Sequence, residues 1–282
     1  MPETPAGARS PIERLCRKGH PRRTRRWDKG DPDYVAEFGL RAEHIPTLID
    51  LACEWAEGER AEDDVLFAPI HAWRALGQLR AAEAVEPLLE IQDSLDAIGD
   101  DWYLEEFHDI FGLVGPPAIA TLARYLADRS RGEFPRISSA NGLREVGRRH
   151  PQARQRVVQV LATQLGRCEP DVGSLNGFLV GYLVDLRAAE SAGVIERAYA
   201  ARVVDQLVCG PWTKIREELG VPERGLVPER PEPTRRSGLP QLSAPPGWTP
   251  PPPRTREPKK HRQAKSKRKQ QKQARKRNRK QR

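Results

Sequence analysis

The sequence predicts an all-α fold in which helical hairpins stack into an α-solenoid. Across residues 34–221, apolar residues recur at the i, i+3, i+4 spacing of helices, and no segment alternates like a half-buried strand. A β-branched residue followed three positions later by an apolar residue recurs after 34, 39 and 37 residues, at Val85/Leu88, Ile119/Leu122, Val158/Leu161 and Ile195/Ala198. This period is typical of stacked hairpins, whose small apolar faces form a continuous core only together. Because the period is approximate, an irregular helical bundle is the alternative fold.

Ten helices follow from the apolar positions in chain order. They are marked by residues 45–52, 70–76, 85–89, 104–114, 119–126, 137–146, 157–161, 175–186, 195–199 and 212–219. Pro46 and Pro69 suit the first turn of a helix, where the missing N–H of proline would have no partner in any case. Gly115, Pro116 and Pro117 separate the fourth helix from the fifth. The helical pattern therefore covers most of the folded body.

Charge is distributed very unevenly along the 282 residues. The net charge of +9 combines 21 acids and four bases in residues 30–109 with 14 bases and no acid in residues 259–282. Eight of the eleven lysines lie in that last segment, whereas the rest of the chain relies on arginine. The last segment is therefore a separate module in composition, and the first helices are strongly acidic.

Proline content and charge divide the chain into four parts. Residues 1–33 contain five prolines and a cluster of arginines, and we expect a basic, largely disordered arm. Residues 34–221 form the helical body. Residues 222–258 hold twelve of the 26 prolines, which predicts an extended linker. Residues 259–282 form a Lys/Arg-rich tail that has no apolar core to bury and is expected to be disordered.

Residues 68–89, APIHAWRALGQLRAAEAVEPLL, resemble HEAT repeats of the kind called PBS-lyase HEAT-like. The flanking residues 39–46 and 100–102 are similar to those of an uncharacterised bacterial HEAT-repeat group. The resemblance extends over about residues 39–205, and it implies stacked α-hairpins that serve as a scaffold for other molecules. It implies no particular chemistry, because a fold alone does not fix a function.

Compact catalytic motifs are absent from the sequence. It contains no G-x-x-x-x-G-K-[ST], no G-x-G-x-x-G that opens a helix, no G-x-S-x-G and no H-E-x-x-H. We therefore predict no catalytic residue, metal or cofactor. The alternative is a HEAT-like enzyme, dependent on a metal or acting on nucleic-acid bases, that uses Trp102, Glu105 and His108. The spacing of Glu105 and His108 places a carboxylate and an imidazole on one helix face, as in di-iron helices.

The acidic residues of the first helices have two interpretations. They either cover ordinary solvated helix faces or form a surface that receives a basic partner, for which the chain's own tail is one candidate. The predicted surface consists of Glu59, Glu62, Asp63, Asp64, Asp100, Asp101, Glu105 and Asp109.

The tail has a composition that predicts binding to a polyanion. It lacks proline, glycine, acidic and aromatic residues, so it would contact phosphates without reading bases. RNA is the favoured partner, and DNA, intramolecular docking, an acidic protein or a role in solubility are the alternatives. A membrane is not expected, because large apolar side chains do not accompany the charge. The predicted phosphate-binding residues are Lys259, Lys260, Arg262, Lys265, Lys267, Arg268, Lys269, Lys272, Arg275, Lys276, Arg277, Arg279, Lys280 and Arg282.

Cysteine spacing and hydropathy predict the compartment. The four cysteines, at positions 16, 53, 168 and 209, form no C-x-x-C pair, which favours reduced thiols. The longest apolar run, residues 178–184, is much shorter than a membrane span, and the first residues lack the apolar segment of a signal peptide. We expect a cytoplasmic scaffold whose body binds a protein or peptide and whose tail binds nucleic acid.

Overall fold

The structure, a computed structural model, describes residues 9–19, 21, 33–54, 67–100 and 102–222. These residues belong to one compact unit, Met1–Glu229, and the second unit, Arg230–Arg282, contains none of them. All regular elements in the described ranges are helical, which confirms the predicted all-α class. They are α1 (Pro11–Cys16), α2 (Tyr34–Phe38), α3 (Ile45–Cys53), α4 (Ala68–Gln78), α5 (Val85–Ala97), α6 (Trp102–Val114), α7 (Ile119–Ala127), α8 (Glu133–Arg149), α9 (Arg154–Leu165), α10 (Gly173–Asp185), α11 (Ala192–Ala200), α12 (Gln206–Cys209) and α13 (Trp212–Glu218).

Each of the ten predicted helices coincides with one of these elements. The sequence pattern does not predict α1, α2 and α12, which contain six, five and four residues. A helix of one or two turns is too short to show an apolar period, so its formation depends on capping and on contact with the body.

The same turn geometry recurs between the two helices of successive hairpins. A residue with positive φ, between 52° and 81°, follows the first helix of four hairpins at Gly39, Arg80, Gly115 and Arg187, whereas His150 follows the first helix of the remaining one with a φ of −125°. One turn of 3-10 helix then precedes the second helix, at Ala42–His44, Ala82–Ala84, Pro116–Ala118, Pro151–Ala153 and Ala189–Ser191. In the described residues these turns define the hairpins α2/α3, α4/α5, α6/α7, α8/α9 and α10/α11. The repeat in sequence is thus accompanied by a repeat in backbone geometry.

The helices of the hairpins pack in two rows. The first helices contact one another in sequence, α4 on α6, α6 on α8 and α8 on α10, and we call them the first row. The second helices do the same, α3 on α5, α5 on α7, α7 on α9 and α9 on α11, and we call them the second row. Contacts between the rows, such as α3 with α4 and α7 with α8, bury the core.

Aromatic residues fill the core near α4 and α6, and a glycine lets α8 approach them. Trp73 and Phe107 are fully buried and meet edge to face, with 4.8 Å between ring centroids. Trp73 Nε1 donates a hydrogen bond to the Ala52 carbonyl at 2.9 Å, so its polar atom is satisfied. A Cβ on Gly142 would lie 2.7 Å from the Phe111 side chain. The close packing of α6 on α8 therefore requires glycine at that position.

Within the arm predicted to be largely disordered, residues 9–19 include helix α1, which is docked on the body. Helix α1 begins with a capping box, in which Ser10 Oγ accepts from the Glu13 N–H and the Glu13 carboxylate accepts from the Ser10 N–H. Leu15 is fully buried, and α1 packs on α2 and α4. The proline and arginine content of the arm obscures this helix, which buries Leu15 fully and Ile12 and Cys16 in part.

The predicted linker and tail lie outside the described residues, apart from Pro222. In the part of the chain that the structure describes, no single helix is long and apolar enough to cross a membrane. Trp102–Val114 and Pro116–Ala127 reach the required length only together, and they are bent by 112° at the break between them.

Candidate functional site

Helix α6 carries the residues of the predicted enzyme alternative. Asp100 precedes the helix, and its Oδ1 accepts a hydrogen bond from the Trp102 N–H at 2.9 Å. Trp102 is half-buried, and its ring centroid lies 6.4 Å from that of Phe67. Glu105 is exposed. The tryptophan therefore contributes to packing at the start of α6, and Asp100 accepts a hydrogen bond from the first N–H of the helix.

Asp109, at the middle of α6, is held by an arginine of α8. Its carboxylate lies 2.5 Å from Arg149 Nη2 and 3.4 Å from His108 Nε2. Burial raises the pKa of Asp109, while the charges of His108 and Arg149 act in the opposite direction. Because the guanidinium of Arg149 already pairs with this carboxylate, Asp109 stabilises the packing of α6 on α8.

Glu145 of α8 extends this cluster and is almost fully buried. It accepts hydrogen bonds from Arg144, Arg148 and Arg149 at 2.8, 2.9 and 3.3 Å. Burial alone would raise the pKa of Glu145, but the hydrogen bond from Arg148 and the charges of the three arginines lower it. Arg144 also contacts Asp185 of α10 at 2.8 Å. The cluster therefore ties α6, α8 and α10 of the first row together.

The described residues of this region do not form a set of metal ligands. Within the described ranges, no three His, Cys, Asp or Glu side chains converge as a metal site would require. Glu105 is exposed, whereas His108 faces Asp109, whose charge is engaged by Arg149. The arrangement favours ion pairing between helices over coordination of a metal.

The predicted acidic surface is only partly described. Five of its members lie outside the described residues, namely Glu59, Glu62, Asp63, Asp64 and Asp101. Of the other three, Asp100 caps a helix, Asp109 is bound by an arginine and Glu105 is exposed. The fourteen cationic residues of the predicted tail site also lie outside the described residues.

A buried polar network joins the N-terminal segment to α4 and α6. His71 Nε2 donates to the Gly19 carbonyl at 2.7 Å, and its Nδ1 accepts from the Tyr34 hydroxyl at 2.9 Å. Burial lowers the pKa of His71 to about 4, so the ring is neutral near pH 7. Arg74 donates to Glu106 at 2.6 and 3.0 Å, and both side chains are almost entirely buried. These titratable groups hold the fold together.

Two surface grooves of the second row use arginine differently. The groove between α5 and α7, which we call the paired groove, has a volume of about 110 Å³. Arg124 of α7 pairs with Glu86, and Arg131 pairs with Glu90 at 2.8 Å and with Asp93 at 3.0 Å. The acids of α5 therefore neutralise both arginines of the paired groove.

The groove between α7 and α9, which we call the open groove, is larger, at about 380 Å³. Its apolar surface includes Ala123, Ala127 and Val160, which are half-buried, whereas the side chain of Leu126 is fully buried. Its exposed side chains are Arg156, Gln159, Thr163 and Arg167. None of the described residues that line it is acidic, and neither α7 nor α9 contains an acid. Arg156 has no ion-pair partner among the described residues, and Arg167 donates to the Ala127 carbonyl at 3.1 Å.

The sequence analysis did not identify the open groove, although a signal for it exists. Residues 110–258 together carry 21 bases and 15 acids, and this average hides residues 146–168, which carry five arginines and no acid. Arg156, Val160 and Arg167 also lie on one helical face by their spacing. The identity of the facing helix, α7, follows only from the fold.

Comparison with protein-family models, with curated proteins and with solved structures finds no match to this chain. The function of the chain is therefore inferred from its own residues and geometry.

Proposed function

We propose that the chain is a HEAT-like α-solenoid scaffold, without enzymatic activity, that binds a protein or peptide on its helical surface. Its cationic tail binds nucleic acid, RNA in particular. The observation that carries the proposal is the packing of successive hairpins in two rows, with grooves between neighbouring helices of the second row. Repeat proteins of this kind present extended surfaces to their partners.

The recurrence of the turns supports a HEAT-like repeat. The 3-10 turns start at residues 42, 82, 116, 151 and 189, so successive turns are 40, 34, 35 and 38 residues apart. These intervals are typical of repeats built from one helical hairpin, and the longest of them reaches the length of about 40 residues at which HEAT units begin. The resemblance of residues 68–89 to such units is consistent with this spacing.

The use of buried charge supports a scaffold. Arg74 and Glu106 join α4 to α6, and Arg136 of α8 pairs with Glu169, which precedes α10, at 3.0 Å. The side chains of both pairs are almost fully buried. Charged groups inside the body thus connect neighbouring hairpins. A partner would bind in the grooves on the surface.

The composition of the tail supports binding to phosphates. Residues 259–282 carry 14 bases and no acid, and the proline-rich residues 222–258 separate them from the body. Alanine, glutamine, lysine and arginine are good helix formers, so the tail can become helical on a polyanion that neutralises its charge. A structured RNA offers such a surface without any need for base recognition.

The salt dependence of RNA binding tests the role of the tail. The affinity for an RNA hairpin is measured across salt concentrations for the full chain and for a chain that ends at Pro258. If the tail neutralises about six phosphates, truncation lowers the log-log slope by about five on duplex RNA and about four on a single strand. Arg156→Gln in the full chain is the control and leaves the slope within one unit. An unchanged slope on truncation contradicts the proposal.

A further inference from the structure

The open groove combines exposed cations with apolar surface in a defined order. Arg156 lies in the first turn of α9, and Arg167 lies just beyond its last turn. At about 1.5 Å per residue, the two arginines are roughly 16 Å apart along the helix. Val160 lies between them on α9 and is half-buried. A ligand along the groove would therefore meet a cation, then an apolar surface, then a second cation.

The acids that follow α7 and α9 in sequence are already engaged. Glu169 binds Arg136 at 3.0 Å and Gln164 at 3.1 Å. Asp128 accepts hydrogen bonds from Ser130 and Arg131. The neighbouring carboxylates thus have other hydrogen-bond partners, and the two exposed guanidinium groups of the open groove are available to an acid from another molecule.

The groove favours a peptide over a nucleic acid. In an extended segment, side chains at i, i+2 and i+4 face one way and span roughly 13 Å. Carboxylates at i and i+4 can then reach Arg156 and Arg167, while an apolar side chain at i+2 contacts Val160. Gln159 and Thr163 are exposed beside this path and provide hydrogen bonds for a peptide backbone. A phosphate backbone would satisfy the arginines but has no apolar side chain for the centre of the groove.

We infer that the open groove binds an extended acidic segment of a partner protein, with the pattern acidic-x-apolar-x-acidic. The two carboxylates pair with Arg156 and Arg167, and the apolar side chain packs on Val160 of α9 and on Ala123 and Ala127 of α7. This inference rests on the proposed function, because it specifies where the scaffold binds a protein and which chemistry the bound segment has.

The probe for this inference is the rhodamine-labelled nonapeptide Gly-Ser-Glu-Ser-Leu-Ser-Glu-Ser-Gly. Its affinity for the full chain is measured by fluorescence anisotropy at fixed salt. We expect Arg156→Gln/Arg167→Gln to weaken binding at least fivefold, and Arg124→Gln, in the paired groove, to change it less than twofold. The same cationic tail is present in all variants, so its contribution is common to them. Replacing leucine by serine, or both glutamates by glutamine, in the peptide should also weaken binding at least fivefold.

A charge reversal makes the test independent of lost stability. The variant Arg156→Glu/Arg167→Glu should bind the corresponding peptide with two lysines more tightly than the unmodified chain does. Circular dichroism confirms that each variant is folded, which is expected because both arginines are exposed.

Three results would overturn the inference. In the first, the double glutamine variant or the glutamine peptide retains the original affinity. In the second, Arg124→Gln weakens binding as much as the double variant does. In the third, the double variant loses affinity for decauridylate but not for the peptide, which would assign the groove to nucleic acid. The RNA salt slope of the tail is measured separately, so the tail's role can stand or fail independently of the groove.

Discussion

The paired groove and the open groove share helix α7 but differ in the helix that faces it. Helix α5 supplies Glu86, Glu90 and Asp93, and these acids bind the arginines of the paired groove. Helix α9 supplies Arg156 to the open groove, where no acid faces it. The role of an arginine on this surface therefore depends on the neighbouring hairpin. With an acid opposite, it contributes to stability, and without one, it is available to a partner.

The buried pair of the first row gives the largest expected effect. Glu106→Gln removes the charge that balances Arg74, and it leaves a guanidinium buried without an anion. We expect the free energy of unfolding to fall by about 3–5 kcal/mol, measured by urea denaturation. The matched change in the paired groove, Glu86→Gln, breaks an exposed pair and should cost less than about 1 kcal/mol. Equal losses in the two variants would contradict the distinction between structural and surface arginines.

The buried histidine should give the next largest effect, a loss of stability as the pH falls. The pKa of His71 is lowered to about 4 in the fold, whereas a histidine in an unfolded chain titrates near 6.5. As pH falls between these values the unfolded state takes up the proton first, so stability is lost. We expect a loss of up to about 3 kcal/mol between pH 7 and pH 4 that is specific to His71.

The pH effect is measured by urea denaturation of the unmodified chain, of His71→Gln and of the tail variant His261→Gln. The His71→Gln chain should lose less stability on acidification than the other two, because it lacks the titrating group. If all three chains lose the same free energy between pH 7 and pH 4, the account of the His71 network is wrong.

Adding an acid to the open groove should have the smallest effect on stability. It makes the open groove resemble the paired groove, in which acids face the arginines. Thr163→Glu places a carboxylate four residues before Arg167 on the exposed face of α9. We expect a gain of about 0.3–0.5 kcal/mol from this pair, together with weaker binding of the acidic nonapeptide. The control, Thr163→Gln, has a similar shape without the charge and should leave peptide binding within twofold. Thermal denaturation and anisotropy measure the two effects, and unchanged binding by Thr163→Glu would count against the groove.

The helical fold could be predicted from the sequence because each long helix carries a buried apolar stripe. In α7, for example, Ile119, Leu122 and Leu126 are all fully or almost fully buried. Helix α1 could not be predicted in this way, because its six residues are too few to show an apolar period and include only one fully buried side chain, Leu15, with Ile12 and Cys16 partly buried. The largely disordered arm predicted for residues 1–33 came from composition, which does not register such local contacts.

The charge network was less accessible from sequence, because its pairs connect different hairpins. Arg124 and Glu86 are 38 residues apart, and Arg149 and Asp109 are 40 apart, which is close to one repeat. Aligning the sequence with itself at a shift of one repeat places the two members of each pair close to each other. The same displacement of 38–40 residues from Arg156 reaches residues 116–118, which contain no acid, and residues 194–196, where Glu196 forms no ion pair with it. The open groove is therefore readable from the sequence only after the repeat and the facing helices are known.

The most direct test of the two-groove account is the binding site of the acidic nonapeptide on the full chain, mapped by NMR with isotope-labelled protein. The account predicts that the largest chemical-shift changes fall on α7 and α9, around Arg156, Val160 and Arg167, with little change on α5. It also predicts that these changes disappear in Arg156→Gln/Arg167→Gln. Changes confined to residues 259–282, or centred on the paired groove, would contradict it.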